Sequence, residues 1–282
     1  MVLHKSLKKY FPIFVLPTLV AFVIAFLIPF VLGVYLSFTE FNTIVDAAWV
    51  GFENYKKAFA DPGFMTALWF TVKFTIVSVM TINVIAFFLA LLLTGAIKGT
   101  KLFRTVFFMP NLIGGIVLGY VWLAIINSIL YNFGVTITYS PEYGFWGLVI
   151  LMNWQLIGYM MVIYISGIQN IPNDLYEAAR IDGANKLQIL KDVTIPLVIP
   201  SATICLFLTL TNSFKLFDQN LALTNGAPAE TTNMLALNIY KTFYGRMGWE
   251  GVGQAKAVIF FIIVGIIAIT QVYLTRSKEV EN

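Results

Sequence analysis

Few residues of this chain have types and spacings that could do chemistry. His4 is the single histidine and lies in the N-terminal tail, and Cys205 is the single cysteine and lies in an apolar run. One thiol forms no internal disulfide and completes no zinc set, and one tail imidazole leaves histidine-based catalysis without a candidate. No G-x-x-x-x-G-K-[ST] string occurs, so the chain has no P-loop for ATP. What remains is a set of amides, hydroxyls and rings embedded in apolar surroundings. Gln155 and Tyr159 are four apart, Thr209, Asn212 and Ser213 follow i, i+3, i+4, and Asn111 and Gly115 are four apart. At helical spacing each set shares one face. Such groups can bind a neutral, hydroxyl-rich solute by hydrogen bonding and stacking, without covalent chemistry. The same residue types also join helices to one another in lipid. Lys215 and Asp218, three apart, read as an ion pair on one helix face. The functional alternative sets Lys215 against an acidic or phosphorylated solute.

The elements that carry these residues must lie in lipid. The chain has 282 residues, 59% hydrophobic and only 11% charged, where a soluble chain carries about 25% charge. The mean hydropathy is +0.83. So little charge cannot cover a globular surface, and the aromatic content of 16% suits membrane–water interfaces. A spanning helix needs roughly 20 apolar residues. Six runs qualify: Phe11–Phe38, Leu68–Gly95, Thr105–Ile126, Gly144–Ile168, Leu197–Leu221 and Ala255–Thr275. They are too long, and alternate too little, for barrel strands. The first run follows Lys5, Lys8 and Lys9 but is too long for a signal-peptide core and has no small-residue cleavage site after it, so it reads as a retained helix. The expectation is an all-α membrane protein, a single transmembrane domain over residues 1–282.

Orientation follows the cationic residues. Lys5, Lys8, Lys9, Lys98, Lys101, Arg104, Arg180, Lys186, Lys191, Arg276 and Lys278 fall on one side, and only Lys56, Lys57, Lys241 and Arg246 on the other. The richer side is assigned to the cytoplasm, with both termini there, as an even number of spans requires. Lys73 and Lys256, near the outer ends of their helices, are expected to snorkel to the interface. Gly115-x-x-x-Gly119 fits close helix packing. Residues 39–67, 127–143 and 222–254 then lie outside, and 96–104 and 169–196 inside.

The inside segment 169–196 reads as two short helices in water. Pro172 suits a helix start, and Asn173 or Asp174 can cap it. Leu175, Ala178, Ala179 and Ile181 give a small apolar face, and Gly183 allows a sharp turn. Leu187, Leu190 and Val193 recur at helical spacing before Pro196. By these properties the segment fits either a groove on a partner or a lipid surface.

The string Glu177-Ala178-Ala179-x-x-x-Gly183, nine residues, then Val193-x-Ile195-Pro196 resembles the EAA loop of binding-protein-dependent ABC importer permeases; Val and Ile replace the family's Ile and Leu in its closing I-x-L-P. Phe217-Asp218 with Leu223-Thr224-Asn225-Gly226-Ala227-Pro228 resembles the F-D…L-T-x-G-G-P stretch of the carbohydrate-uptake class, which includes the maltose permeases, with Ala227 departing from the second glycine. Val50-Gly51-Phe52-Glu53-Asn54-Tyr55 is similar to the first outside loop of that class, and Arg104 to Pro110 to the start of its third helix. The resemblance covers nearly the whole chain.

The resemblance implies a type I importer architecture with six spans, lacking the extra N-terminal helices and large inserted domain of the maltose permease. It implies that Glu177, Ala178, Ala179 and Gly183 form the coupling helix, docked in a cleft of a cytoplasmic ATPase. It implies sugar contacts at Gln155, Tyr159, Asn212, Ser213, Thr209, Asn111 and Gly115, with Leu156 and Leu216 as apolar wall. The partners implied are a second, homologous permease subunit, two ATPase subunits that bind ATP and Mg, and an external sugar-binding protein. The chain itself would bind no cofactor, metal or nucleic acid, would perform no catalysis, and would lie in the bacterial inner membrane. The alternatives are glycerol-phosphate-type solutes in the same class of importer, and an ion-driven secondary transporter. The latter needs intramembrane carboxylates or a sodium site, and the apolar runs hold no carboxylate except Asp218, at a helix edge.

Overall fold

The computed structural model describes residues 2–95 and 98–276. Lys278 lies outside them, and nothing is described of the side chains of His4, Lys5, Lys8, Lys9 and Arg276. In chain order the helices are α1 (Val2–Phe22), α2 (Ile28–Leu36), α3 (Glu53–Ala60), α4 (Pro62–Thr94), α5 (Thr100–Phe108), α6 (Gly115–Leu130) and α7 (Pro141–Gln169). They continue with α8 (Asn173–Ile181), α9 (Lys186–Gln188), α10 (Ile195–Phe214), α11 (Asp218–Leu223), α12 (Leu235–Gly245) and α13 (Glu250–Arg276). Two strands of two residues, β1 (Thr39–Glu40) and β2 (Ala48–Trp49), pair antiparallel between α2 and α3.

Among the described residues, six helical stretches are long and apolar enough to cross a membrane: Ile13–Leu36, Pro62–Thr94, Gly115–Phe133, Pro141–Gln169, Lys186–Phe214 and Glu250–Thr275. All six expected runs therefore have a counterpart with different bounds, and two were expected to run on through residues where the chain in fact breaks. The third was expected to begin at Thr105, but the chain breaks after α5 into a 3-10 turn, Met109–Leu112, and α6 starts at Gly115. Pro110 lacks the N–H needed to continue the helix. The fifth was expected to reach Leu221 but stops at Phe214, and the chain turns at Lys215–Phe217 before α11.

The chain divides into two compact units. One holds residues 1–61 and 239–260. Here the Asn54 side chain donates to the Ser37 and Thr39 carbonyls at 3.0 and 2.8 Å, and so ties α3 to the hairpin. Gly251 lies against the Thr39 carbonyl, where a side chain would collide with backbone. Lys256 departs from the expected snorkelling: it is fully buried, with its ammonium 2.6 Å from Asp61 Oδ2 and 2.8 Å from Thr242 Oγ1. A lysine can be buried when a carboxylate neutralises it, and Asp61 provides that here.

The other unit holds residues 62–238 and 261–282 and contains the residues of interest. Its core lies between α4, α7 and α10, where Phe74, Ile82 and Ala86 pack with Leu151, Met160, Met161 and Cys205. Gly158 brings α7 against the Phe107 backbone, leaving no room for a Cβ. A polar knot pins the same three helices: Asn83 Nδ2 donates to Thr209 Oγ1 at 2.9 Å, and the Tyr164 hydroxyl donates to Asn83 Oδ1 at 2.9 Å. In lipid such groups need partners inside the protein, and these three satisfy one another.

Candidate functional site

The breaks in the third and fifth spans face one cleft. Asn111 lies in the 3-10 turn, Met152, Gln155, Leu156 and Tyr159 line it from α7, and Asn212, Lys215, Leu216 and Gln219 from α10, the turn after it and α11. Its volume is about 280 Å³, close to the roughly 300 Å³ lower bound of small-molecule sites. The sequence placed Asn111, Gln155, Leu156, Tyr159, Asn212 and Leu216 in a candidate site, and the fold brings all six together.

The polar groups of the cleft differ in what they have left to offer. Asn212 Nδ2 is taken by the Leu208 carbonyl at 2.8 Å, which leaves the amide oxygen on an exposed side chain. Gln155 is buried; its oxygen accepts from Gln219 Nε2 at 2.8 Å, and its Nε2 donates over a long 3.4 Å to the Ile113 carbonyl. The Tyr159 ring packs edge-on against Phe108 at 6.2 Å. Among the described residues neither the Tyr159 hydroxyl nor the Asn111 side chain has a hydrogen-bond partner. Hydrogen-bonding capacity is therefore directed into the cleft.

Three expected contacts lie elsewhere. Thr209 is fully buried, donating to the Cys205 carbonyl at 2.7 Å and accepting from Asn83. Ser213 is fully buried and donates to the Thr209 carbonyl at 2.7 Å. The i, i+3, i+4 rule put both on Asn212's side of the helix, but these two face the core. Gly115 does not line the cleft; it is the floor on which α11 rests, since a Cβ there would sit 2.8 Å from Asp218 Cβ. Gly119 serves the same packing against Ala222, as the small-residue spacing suggested.

The expected Lys215–Asp218 ion pair is not formed. Lys215 closes α10 at its C-terminal end, Asp218 opens α11, and both are exposed. An ammonium there meets the negative end of the helix dipole, and among the described residues it has no carboxylate within 4.0 Å. Met152 and Gln219 are the lining residues the sequence reading missed, and Gln219 is the polar one. Asn212, Lys215 and Gln219 recur at i, i+3, i+7, a spacing that could have revealed it.

The segment after α7 is mostly exposed along α8, including Glu177 and Ala178, with Tyr176 and Ala179 half-buried. Asn173 and Asp174 do not cap α8; they lie inside its first turn, after Pro172. Gly183 adopts φ +81, and the Ala184 N–H closes the helix on the Ala179 carbonyl at 2.9 Å, a glycine stop of the usual left-handed kind. Asn185 then accepts from the N–H groups of Leu187 and Gln188 at 3.0 Å and starts the next turn. Ile181 and Leu187 are 85% and 73% exposed, an apolar pair on either side of the Gly183 stop.

Comparison with known proteins bears on both features. Residues 83–279 match the family described as "Binding-protein-dependent transport system inner membrane component". The chain is 46% identical, over 95% of its length and 94% of the relative, to the "Probable starch degradation products transport system permease protein AmyD" of Thermoanaerobacterium thermosulfurigenes. It is 31% identical to the "Multiple sugar-binding transport system permease protein MsmF" of Streptococcus mutans, over 99% of this chain and 100% of that one. Among solved structures it superposes on a chain of a bacterial ABC transporter that imports the acidic polysaccharide alginate, with a TM-score of 0.82, 20% identity and coverage of 98% and 99%. That last likeness speaks to the fold alone.

Proposed function

Because this chain belongs to the family of binding-protein-dependent transport system inner membrane components, we propose that its cleft between α7, α10 and α11 holds an oligosaccharide during passage through an ABC importer. The chain is a multi-pass permease of the bacterial inner membrane; ATP is hydrolysed by a separate subunit. The observation that carries the solute reading is the cleft itself: an amide oxygen on Asn212 and, without hydrogen-bond partners among the described residues, the Asn111 amide and the Tyr159 hydroxyl line one opening between largely apolar helices. Polar groups in lipid that face neither each other nor the backbone mark a solute path. The names of the relatives AmyD and MsmF support a sugar, and starch fragments are the first to test.

In this reading a second, homologous permease completes the path, and an external sugar-binding protein delivers the solute. Two cytoplasmic ATPase subunits, which bind ATP and Mg, close on each other. The α8 segment, with Glu177, Ala178 and Ala179 on a short helix and Gly183 at its stop, seats on an ATPase and carries that closure into the spans. The support is physical: apolar Ile181 and Leu187 are exposed on either side of the Gly183 stop, and a helix-in-groove contact would cover them.

One observation favours a second reading. Lys215 lines the cleft with no carboxylate partner among the described residues, and an ammonium there would suit a solute with a phosphate ester. Proteoliposomes containing the complete importer and its binding protein decide between the two. ATP-dependent uptake of labelled maltotriose, not inhibited by excess glycerol 3-phosphate, is the expected result. Uptake of glycerol 3-phosphate with none of any neutral oligosaccharide would overturn the sugar reading in favour of the phosphate one.

A further inference from the structure

Gln219 reaches across the cleft. It opens from the first turn of α11, and its Nε2 donates to Gln155 Oε1 on α7 at 2.8 Å. The path of its side chain runs over Gly115 of α6: a Cβ there would come within 3.0 Å of both Cδ and Nε2 of Gln219. Gly115 thus leaves the space in which the Gln219 amide lies. Both amides line the cleft, so the bond joins two helices across the opening.

We propose that Gln219 is a specificity-determining residue of the solute path, forming with Gln155 an amide latch that a hydroxyl-rich solute opens by taking both amides in place of each other. The inference rests on the sugar reading above. The chemistry is an exchange of like for like. A primary amide offers two donors and one acceptor oxygen, and so can engage a hydroxyl that both gives and accepts. A sugar bearing the matching hydroxyl replaces the bond it breaks, whereas an analogue lacking that hydroxyl separates the amides and leaves one unpaired. Sites that hydrogen-bond a hydroxyl discriminate strongly against analogues lacking it, because the site's own groups are left unsatisfied. The latch also excludes small apolar solutes, which have nothing to exchange.

The test uses the complete importer in proteoliposomes with excess binding protein, saturated in turn with maltotriose and with each monodeoxy maltotriose. Remaining differences in uptake then arise in the path. In the wild type at least one deoxy position is expected to slow uptake about tenfold, the worth of one hydrogen bond. In Gln219→Leu the same position should matter less than about twofold, Gly115→Ala should move discrimination the same way by displacing Gln219, and Gln155→Leu with Gln219→Leu should lose nothing beyond the worse single change. A merely structural role would slow all sugars alike and preserve the ratios. Equal discrimination in wild type and Gln219→Leu overturns the latch, as does a wild type indifferent to every deoxy position. If Gln219→Leu does not assemble, Gln219→Asn, whose amide is one methylene short of Gln155, is judged by the same ratios. A wild type that takes up no maltotriose and no other oligosaccharide fails earlier and refutes the sugar reading itself.

Discussion

Replacing Asp61 by alanine should destabilise the protein far more than replacing the lysine it neutralises. Lys256 is 0% exposed and its ammonium lies 2.6 Å from Asp61 Oδ2, while the Asp61 side chain is 6% exposed. Arg246 approaches the same oxygen at 3.3 Å but is 39% exposed, with its guanidinium 5.1 Å from the Trp249 ring centre. Asp61→Ala strips a fully buried ammonium of its carboxylate, and breaking a buried pair from one side costs about 3–5 kcal/mol. Lys256→Met removes the buried charge together with its solvation need, and Asp61 keeps Arg246, so about 1–2 kcal/mol is expected. Asp61→Leu with Lys256→Met replaces the pair by apolar groups and should come close to neutral, as such swaps often do. At about 2–4 °C per kcal/mol for chains of this size, melting of the solubilised importer should fall on the order of 10 °C for Asp61→Ala. Lys256→Met should lose less than half of that, and the double variant a few degrees at most. Equal losses for the two single variants, or a loss under about 2 °C for Asp61→Ala, would mean that Lys256 finds water and that the burial argument is wrong.

Gly158→Ala should prevent normal assembly, because its Cβ meets the Phe107 backbone rather than a movable side-chain tip; a loss of about 3 kcal/mol or more would be read as low yield and early melting. Asn212→Ala should reduce maltotriose uptake severalfold, whereas Ser213→Ala should leave it within about twofold, since the Ser213 hydroxyl is committed to the Thr209 carbonyl; the paired uptake rates check the ordering. Gly183→Val places a β-branched residue at φ +81, at about 1–2 kcal/mol of local strain, and should uncouple the ATPase from the loaded binding protein. The readout is stimulated ATP hydrolysis, and full stimulation in the variant would speak against α8 as the lever. Tyr164→Phe should cost about 1–3 kcal/mol, because the buried Asn83 Oδ1 loses its donor while Asn83 Nδ2 keeps its bond to Thr209; unchanged melting of the solubilised importer would count against the knot.

Hydropathy located the six spans because that signal averages over some twenty residues, and no single polar side chain erases it. It could not reveal where a span stops being helical without becoming less apolar. Met109–Leu112 and Lys215–Phe217 both keep apolar residues, so the runs read straight through them. Pro110 was a visible sign of the first break; no proline or glycine marks the second. Helical spacing put Gln155 and Tyr159 on one face of α7, and both line the cleft with Asn212, but it paired Asn111 with Gly115 across a break that leaves Gly115 outside the cleft, and it could not separate Asn212 from Ser213 one position along. That distinction depends on which neighbour each faces, and only packing against α4 and α7 sends Thr209 and Ser213 inward. Lys256 was misread for a related reason: its partner Asp61 lies 195 residues away, beyond the reach of any local pattern.

The two breaks and the site are one feature. Backbone in lipid must be hydrogen-bonded, and irregular backbone at membrane depth persists only where protein buries it or where it lines a cavity. Both interruptions of this chain border the same cleft: the 3-10 turn contributes Asn111, and the turn after α10 contributes Lys215 and Leu216. The amide of Gln155 turns toward the Ile113 carbonyl, just beyond the first break, and toward Gln219, just beyond the second. One buried side chain on the intact helix α7 thus bridges two broken ones. A continuous fifth helix would carry Gln219 about a further turn along the axis instead of restarting α11 over Gly115, and a continuous third helix would redirect Asn111. Restarting the helices at these two breaks is what places polar side chains opposite one another where continuous apolar helices would leave a closed wall.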